Sequence, residues 1–101
     1  MSMAELLRQE WRITILVTLR ELPGNTAYEG LLETAIGRYH NQFLSREQIQ
    51  GELEWLRDAG LVTLQDHPSR ERRSYTATLT EKGDAVAGGR VNVAGVRRPR
   101  G

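Results

Sequence analysis

The sequence contains no cysteine, which excludes a disulfide framework, a thiolate metal site and a cysteine nucleophile. Its two histidines, His40 and His67, are far apart and have no cluster of acidic residues beside them. A structural or catalytic metal site is therefore not expected. There is also no phosphate-binding glycine loop and no nucleophile elbow. We expect neither an enzyme nor a bound cofactor.

Long apolar segments are also missing. The longest run, from Ile13 to Leu19, is interrupted by Thr14 and Thr18 and is far shorter than the roughly 20 residues that span a bilayer. The N-terminus lacks a basic region followed by an apolar core, so no signal peptide is predicted. These features predict one cytoplasmic domain with no membrane contact, working in its own cell or in another organism's cytoplasm, since 101 residues suffice for one core.

The net charge of the whole chain is only +1, but the charged residues are distributed unevenly along it. Residues 1–69 hold six arginines against ten acids, whereas residues 70–101 hold eight bases against three acids. A basic C-terminal part is typical of a segment that binds a polyanion. Solvated arginines in a loop and a tail give the same pattern, so both interpretations stay open.

Apolar spacing predicts two helices in the first half of the chain. A stripe with spacings of four and three residues predicts a helix over 4–22, which Pro23 and Gly24 end. Asn25 or Thr26 can supply the side-chain oxygen that caps a second helix, and Asn41 suits its end. The stripe of the first helix comprises Leu7, Trp11, Ile15, Leu19 and Leu22.

The third helix, over 46–59, has the clearest signals. Ser45 and Gln48 form an S-x-x-Q capping box, and Gly60 suits the left-handed position after the helix. Residues 61–65 and 73–79 alternate loosely and flank a polar turn at 66–72, which predicts a β-hairpin. Thr80 can cap a short helix over 81–87.

This order of elements predicts a mainly α fold with a small hairpin, the winged helix-turn-helix domain. It has a three-helix core, a hairpin called the wing and a short C-terminal helix, all within residues 1–89. Residues 90–101 have too little apolar periodicity to predict structure, so we expect a basic, flexible tail. Because the last helix is short and the first is needed for the core, we expect a monomer or a weak homodimer.

Several motifs carry a resemblance to known families. The run L-x-W-L-x-x-x-G-L-V at 53–62, with A-T-L-T-E-K-G at 77–83, resembles winged-helix regulators of the multiple-antibiotic-resistance and arsenic-repressor types. With L-L-R-x-E-x-R-x-x-I-L at 6–16 and V-x-G-V-R-R-P at 93–99, the whole chain resembles small winged-helix proteins of Mu-like transposable phages and prophages. Members are commonly labelled transcriptional regulators and are encoded near head and packaging genes. The resemblance implies a role linked to DNA.

The outward face of the third helix is the first candidate for contact with DNA, because a winged helix offers this helix to the major groove. Arg46 and Gln50 can read guanine and adenine edges, whereas Glu47 and Glu54 repel phosphate unless one accepts a hydrogen bond from cytosine. The alternative is a solvated or protein-binding face.

The wing and the tail supply the remaining candidates. Wing arginines beside a histidine are suited to backbone phosphates or the minor groove, although exposed hairpin tips are often charged without that role. Tail arginines can form an electrostatic arm, or only keep the tail solvated. The wing candidates are His67, Arg70, Arg72 and Arg73, and the tail candidates are Arg97, Arg98 and Arg100.

Two hypotheses follow for function. The first is a phage-encoded protein that binds double-stranded DNA and acts as a transcriptional regulator, with the helix over 46–59 presented to the groove and the arginine-rich wing on phosphate. The second is an interaction module for phage assembly or DNA packaging, whose acidic third helix binds a basic protein partner.

Overall fold

The structure is a computed structural model, and it describes residues 2–69 and 72–99. They form four α-helices and one antiparallel sheet with the strand order β1-β3-β2. This architecture confirms the predicted mainly helical winged-helix class. The elements are α1 (Met3–Glu21), β1 (Thr26–Tyr28), α2 (Glu29–His40), α3 (Arg46–Asp58), β2 (Val62–His67), β3 (Ser74–Leu79) and α4 (Glu81–Ala87).

Helix α1 supplies the centre of the core. It begins after Ser2, whose hydroxyl accepts a hydrogen bond from the backbone N–H of Glu5 at 3.1 Å. Its residues Ile15, Leu16 and Leu19 are fully buried, in line with the predicted stripe. Among the described residues, no helix combines the length and the apolar content that a membrane span requires.

The predicted start of the second helix is wrong. Asn25 lies in the left-handed region with φ 54°, and residues 26–28 form β1, which pairs with β3 from Thr26↔Thr78 to Tyr28↔Thr76. The Thr26 hydroxyl donates to the backbone oxygen of Ala77 at 3.1 Å and therefore caps no helix. The edge of β3 satisfies backbone groups that a helical turn would otherwise have to satisfy. Helix α2 starts only at Glu29.

The ends of α2 and α3 agree with the prediction. Asn41 closes α2 in the left-handed region, with φ 51°. At α3, the Ser45 hydroxyl accepts from Gln48 N at 3.0 Å and the Gln48 side chain accepts from Ser45 N at 2.8 Å, which completes the capping box. Gly60 follows with φ 78°. Local sequence signals therefore specify both boundaries of α3.

The wing consists of β2 and β3, which pair from Val62↔Leu79 to His67↔Ser74. Strand β2 extends to His67, two residues beyond the predicted end. On β3, Tyr75, Ala77 and Leu79 are buried, so every second residue faces the core. Because β1 pairs with its other edge, β3 is the central strand of the sheet.

Residues 90–99 lie against the domain, which differs from the flexible tail that the sequence predicts. Val96 is part of the core, and the backbone oxygen of Gly95 accepts from Arg12 Nη1 at 2.9 Å. Arg97 pairs with Glu10 of α1, with Nη1 and Oε1 2.7 Å apart. Single apolar residues hold this segment, and they produce no periodic pattern in the sequence.

Candidate nucleic-acid interface

The start of α3 and the start of β3 are joined by side chains of α3. Arg46 Nη1 donates to the backbone oxygen of Arg73 at 3.2 Å, and Gln50 Nε2 donates to the same oxygen at 2.8 Å. These contacts place the N-terminus of α3 beside the wing. Arg46 therefore lies beside the wing residues Arg72 and Arg73, and we call these three residues the basic edge.

A buried carboxylate explains why Gln50 takes this position. Glu29 is 1% exposed and accepts from Gln50 Nε2 at 3.0 and 3.2 Å and from Tyr75 N at 2.6 Å. It lies in the first turn of α2, where the helix dipole favours a negative charge. Burying a carboxylate is tolerated only where donors surround it, and Gln50 is one of those donors.

This network engages the Gln50 amide, which the sequence predicts to read bases. Bidentate recognition of adenine needs an amide that donates to N7 and accepts from N6. The Gln50 amide nitrogen has two hydrogens, and it already contacts Glu29 and the Arg73 carbonyl. Reading adenine would therefore require breaking internal hydrogen bonds. No local pattern indicates this role, because Glu29 and Arg73 are distant from Gln50 along the chain.

Glu54 is also engaged inside the protein. Its Oε2 accepts from the Tyr75 hydroxyl at 2.5 Å. This hydrogen bond, together with burial, raises the pKa of Tyr75 above its ordinary value. Glu54 is half-buried, whereas Glu47 and Asp58 are exposed. We call the outward side of α3, with Glu47, Glu54 and Asp58, the acidic face.

The wing residues have different partners. Arg72 is exposed, and its backbone is held by the Ser69 hydroxyl, which accepts from Arg72 N at 3.2 Å and donates to its carbonyl at 2.5 Å. Arg73 Nε lies 3.2 Å from Asp66 Oδ2, so part of its charge is balanced. His67 Nε2 lies 2.9 Å from the Thr76 hydroxyl oxygen on the neighbouring strand. Arg70 lies outside the described residues.

The tail arginines are not brought together. Arg97 is paired with Glu10 on α1, whereas Arg98 is exposed and has no side-chain partner in the ranges 2–69 and 72–99. Arg100 lies outside the described residues. In the same two ranges, no group of three histidine or acidic side chains has an arrangement that could hold a metal ion.

No protein-family model matches the chain, but known proteins are similar to it. The chain is similar to a putative transcriptional regulator from Thermoplasma acidophilum of known crystal structure, with a TM-score of 0.71. The similarity covers 86% of this chain and 80% of that one at 15% identity, so it shows the fold alone.

The second similarity is to the uncharacterized protein gp26 of Escherichia phage Mu. The two sequences are 38% identical over 97 residues, which are 95% of this chain and 94% of the Mu protein. This match confirms the resemblance to proteins of Mu-like phages. The chain belongs to the family of the phage Mu protein gp26.

Proposed function

We propose that this protein binds double-stranded DNA through backbone phosphates and acts as a transcriptional regulator in the cytoplasm of a phage-infected cell. The observation that carries the proposal is the contact of Arg46 with the Arg73 carbonyl, which forms the basic edge. The N-terminus of a helix and arginine side chains both favour phosphate oxygens. The similarity to a regulator fold supports the same function.

Recognition of base sequence is expected to be weak. Gln50 and Glu54 are held by partners inside the protein, and Arg46 uses one of its guanidinium donors on the Arg73 carbonyl. Glu47 and the remaining donors of Arg46 are the other predicted base-reading groups. Glu47 repels phosphate unless it meets a cytosine amino group. We therefore expect that phosphate contacts contribute most of the affinity for duplex DNA. This affinity should fall steeply as the salt concentration rises.

A salt series of duplex binding tests the proposal. Replacing Arg70, Arg72 and Arg73 with alanine should weaken binding equally for random and phage-genome duplexes, and each lost phosphate contact should reduce the salt slope by roughly 0.9. The reduction expected for Arg73 is smaller, since Asp66 already balances part of its charge. Arg20→Ala is the matched control, because Arg20 pairs with Asp84 on α4. A wild-type dissociation constant weaker than roughly 10⁻⁴ M, unaffected by salt, contradicts the proposal.

The acidic face favours a second candidate function, an interaction module for phage assembly or DNA packaging that binds a basic protein surface. Glu47→Gln separates the two candidates without disturbing the Glu54–Tyr75 hydrogen bond. If α3 faces DNA, the variant should bind duplex more tightly, because one repulsive charge is lost. If the face binds a basic partner, duplex binding stays unchanged while recovery of that partner from infected-cell extract falls.

A further inference from the structure

The edge of β3 that pairs with β1 continues past the end of β1. Strand β1 ends at Tyr28, which is opposite Thr76, so the same register sets Glu29 opposite Tyr75. Helix α2 starts at Glu29, and a helical backbone cannot continue the ladder. The Glu29 carboxylate continues it instead, because its Oε1 accepts from Tyr75 N at 2.6 Å. A side chain therefore replaces a strand at this point.

Gln50 extends the same ladder toward the wing. Its Nε2 donates to the Glu29 carboxylate at 3.0 Å and to the Arg73 carbonyl at 2.8 Å. A carboxylate and a carbonyl can only accept, so the amide must direct its nitrogen toward both of them. The two peptide groups that flank Ser74 are thus both bound, one through the Arg73 carbonyl and the other through the Tyr75 N–H. Side chains of α2 and α3 fix the point at which the wing leaves the sheet.

The wing arginines come directly before this point. Arg72 and Arg73 precede the first residue of β3, so their direction depends on the peptide groups that Glu29 and Gln50 bind. Arg46 binds the same Arg73 carbonyl from α3. Without the link, the wing arginines would change position relative to Arg46. Several arginines bind phosphates of one duplex together only where their spacing matches that of the phosphates.

From these contacts we infer that Glu29 is a positioning residue for DNA binding, which acts through Gln50 to set the orientation of the wing relative to α3. The inference rests on the proposed function, because it names what aligns the basic edge with phosphate. Glu29 is 1% exposed and therefore does not touch DNA itself. Its charge alone predicts the opposite effect, since a carboxylate behind the basic edge repels phosphate. The two roles therefore differ in sign.

Glu29→Gln tests this inference, with binding to a random-sequence duplex measured over a series of salt concentrations. An amide has one acceptor atom, so its nitrogen would face the Gln50 nitrogen, and the hydrogen bonds to a charged acceptor are lost. Binding should weaken by roughly three- to tenfold. The salt slope should also fall, because the wing arginines no longer meet phosphates together. A carboxylate that acts only through its charge would give tighter binding instead.

Asp84→Asn is the matched control, because it also converts an acid to its amide. Asp84 pairs with Arg20 and Arg90 and lies on α4, which follows the end of β3 that is farther from the wing. Its charge is therefore largely screened from the basic edge. The control should leave the affinity for duplex within about twofold of the wild type and the salt slope unchanged.

A double-mutant cycle separates positioning from a general loss of structure. The variant with Arg70, Arg72 and Arg73 replaced by alanine has no wing arginines to position, although residue 73 keeps its carbonyl. Adding Glu29→Gln to this wing variant should weaken binding no further, as measured at low salt, where phosphate contacts are strongest. A general loss of structure would weaken binding by the same factor in both backgrounds.

Gln50→Met breaks the same link from α3 and keeps the Glu29 carboxylate. NMR relaxation of backbone amides in the absence of DNA should show greater mobility at residues 72–74 in both variants than in the wild type. The buried residues Leu61 and Val62 should be unchanged. Circular dichroism checks the folding of each variant, and Gln50→Met carries the same binding tests where Glu29→Gln does not fold.

The outcomes distinguish this inference from the proposed function. A wild-type protein that does not bind duplex overturns both of them. The inference alone fails if the wild type binds but Glu29→Gln binds equally or more tightly. It fails as well if Glu29→Gln weakens the wing variant by the same factor as the wild type, or if neither variant changes the mobility of residues 72–74.

Discussion

Arg12 offers a direct test of what stabilises the fold. Its Nε lies 2.6 Å from Glu52 Oε1, and the two side chains are only 5% and 9% exposed. The guanidinium also lies 4.0 Å from the centre of the Trp55 ring and donates to the Gly95 carbonyl at 2.9 Å. One side chain thus joins α1, α3 and the C-terminal segment.

Replacing Arg12 with leucine leaves Glu52 buried without its close partner. Removing one member of a buried ion pair costs about 3–5 kcal/mol, because the remaining charge is desolvated and uncompensated. Arg8 is the nearest other cation, but it is 3.9 Å from Glu52 and mostly exposed, so it offsets little of that cost. For a domain of this size we expect the melting temperature to fall by roughly 15–30 °C.

Thermal and urea unfolding followed by circular dichroism measure this loss. Replacing Arg12 and Glu52 together with leucine should recover most of the lost free energy of unfolding, because no unpaired charge then stays buried. A single Arg12→Leu variant that loses less than about 1 kcal/mol would refute the reasoning, since that is the value of an exposed pair. A double variant no more stable than the single one would refute it as well.

Two further predictions concern single substitutions. Because the hydrogen bond to Glu54 and burial raise the pKa of Tyr75, the associated stability is complete below about pH 10 and is lost as pH rises through the higher pKa of the folded state. Glu54→Gln should move the ionisation of Tyr75 to lower pH in an absorbance titration of tyrosinate, and an unchanged titration would contradict the assignment of Glu54 as the main cause. Gly83→Ala should cost about 3 kcal/mol in urea unfolding, because its Cβ would overlap the Leu61 carbonyl oxygen. Gly51→Ala, with no atom within 4 Å, should instead stabilise α3 by about 0.5–1 kcal/mol, so an equal effect at both glycines would contradict the steric argument.

Much of the candidate interface could not be predicted from the sequence. The sequence places the DNA-binding candidates Arg46 and Arg73 on different elements, and only the folded chain shows that the Arg46 side chain lies on the Arg73 carbonyl. Gln50 was predicted to read bases, and its neighbours give it hydrogen bonds inside the protein. Helical periodicity shows which side of α3 faces outward, but not which parts of the chain pack beside that side.

Features that depend on neighbouring residues followed from the sequence alone. The Ser45–Gln48 capping box, the left-handed Gly60 and the Thr80 cap each involve groups within a few residues, so their hydrogen bonds form wherever the backbone allows them. The same holds for the buried stripe of α1, because its spacing matches the helical period.

Features that depend on distant partners required the folded chain. Residues 26–28 form a strand because β3 offers them an edge, although their sequence also suits the start of a helix. Glu29 is buried because Gln50 and Tyr75 supply donors from α3 and β3. Residues 90–99 lie along the domain because α1 supplies partners for Gly95 and Arg97. A strand edge, a buried charge and an aperiodic segment each need groups that folding brings together from far along the chain, and no local pattern encodes them.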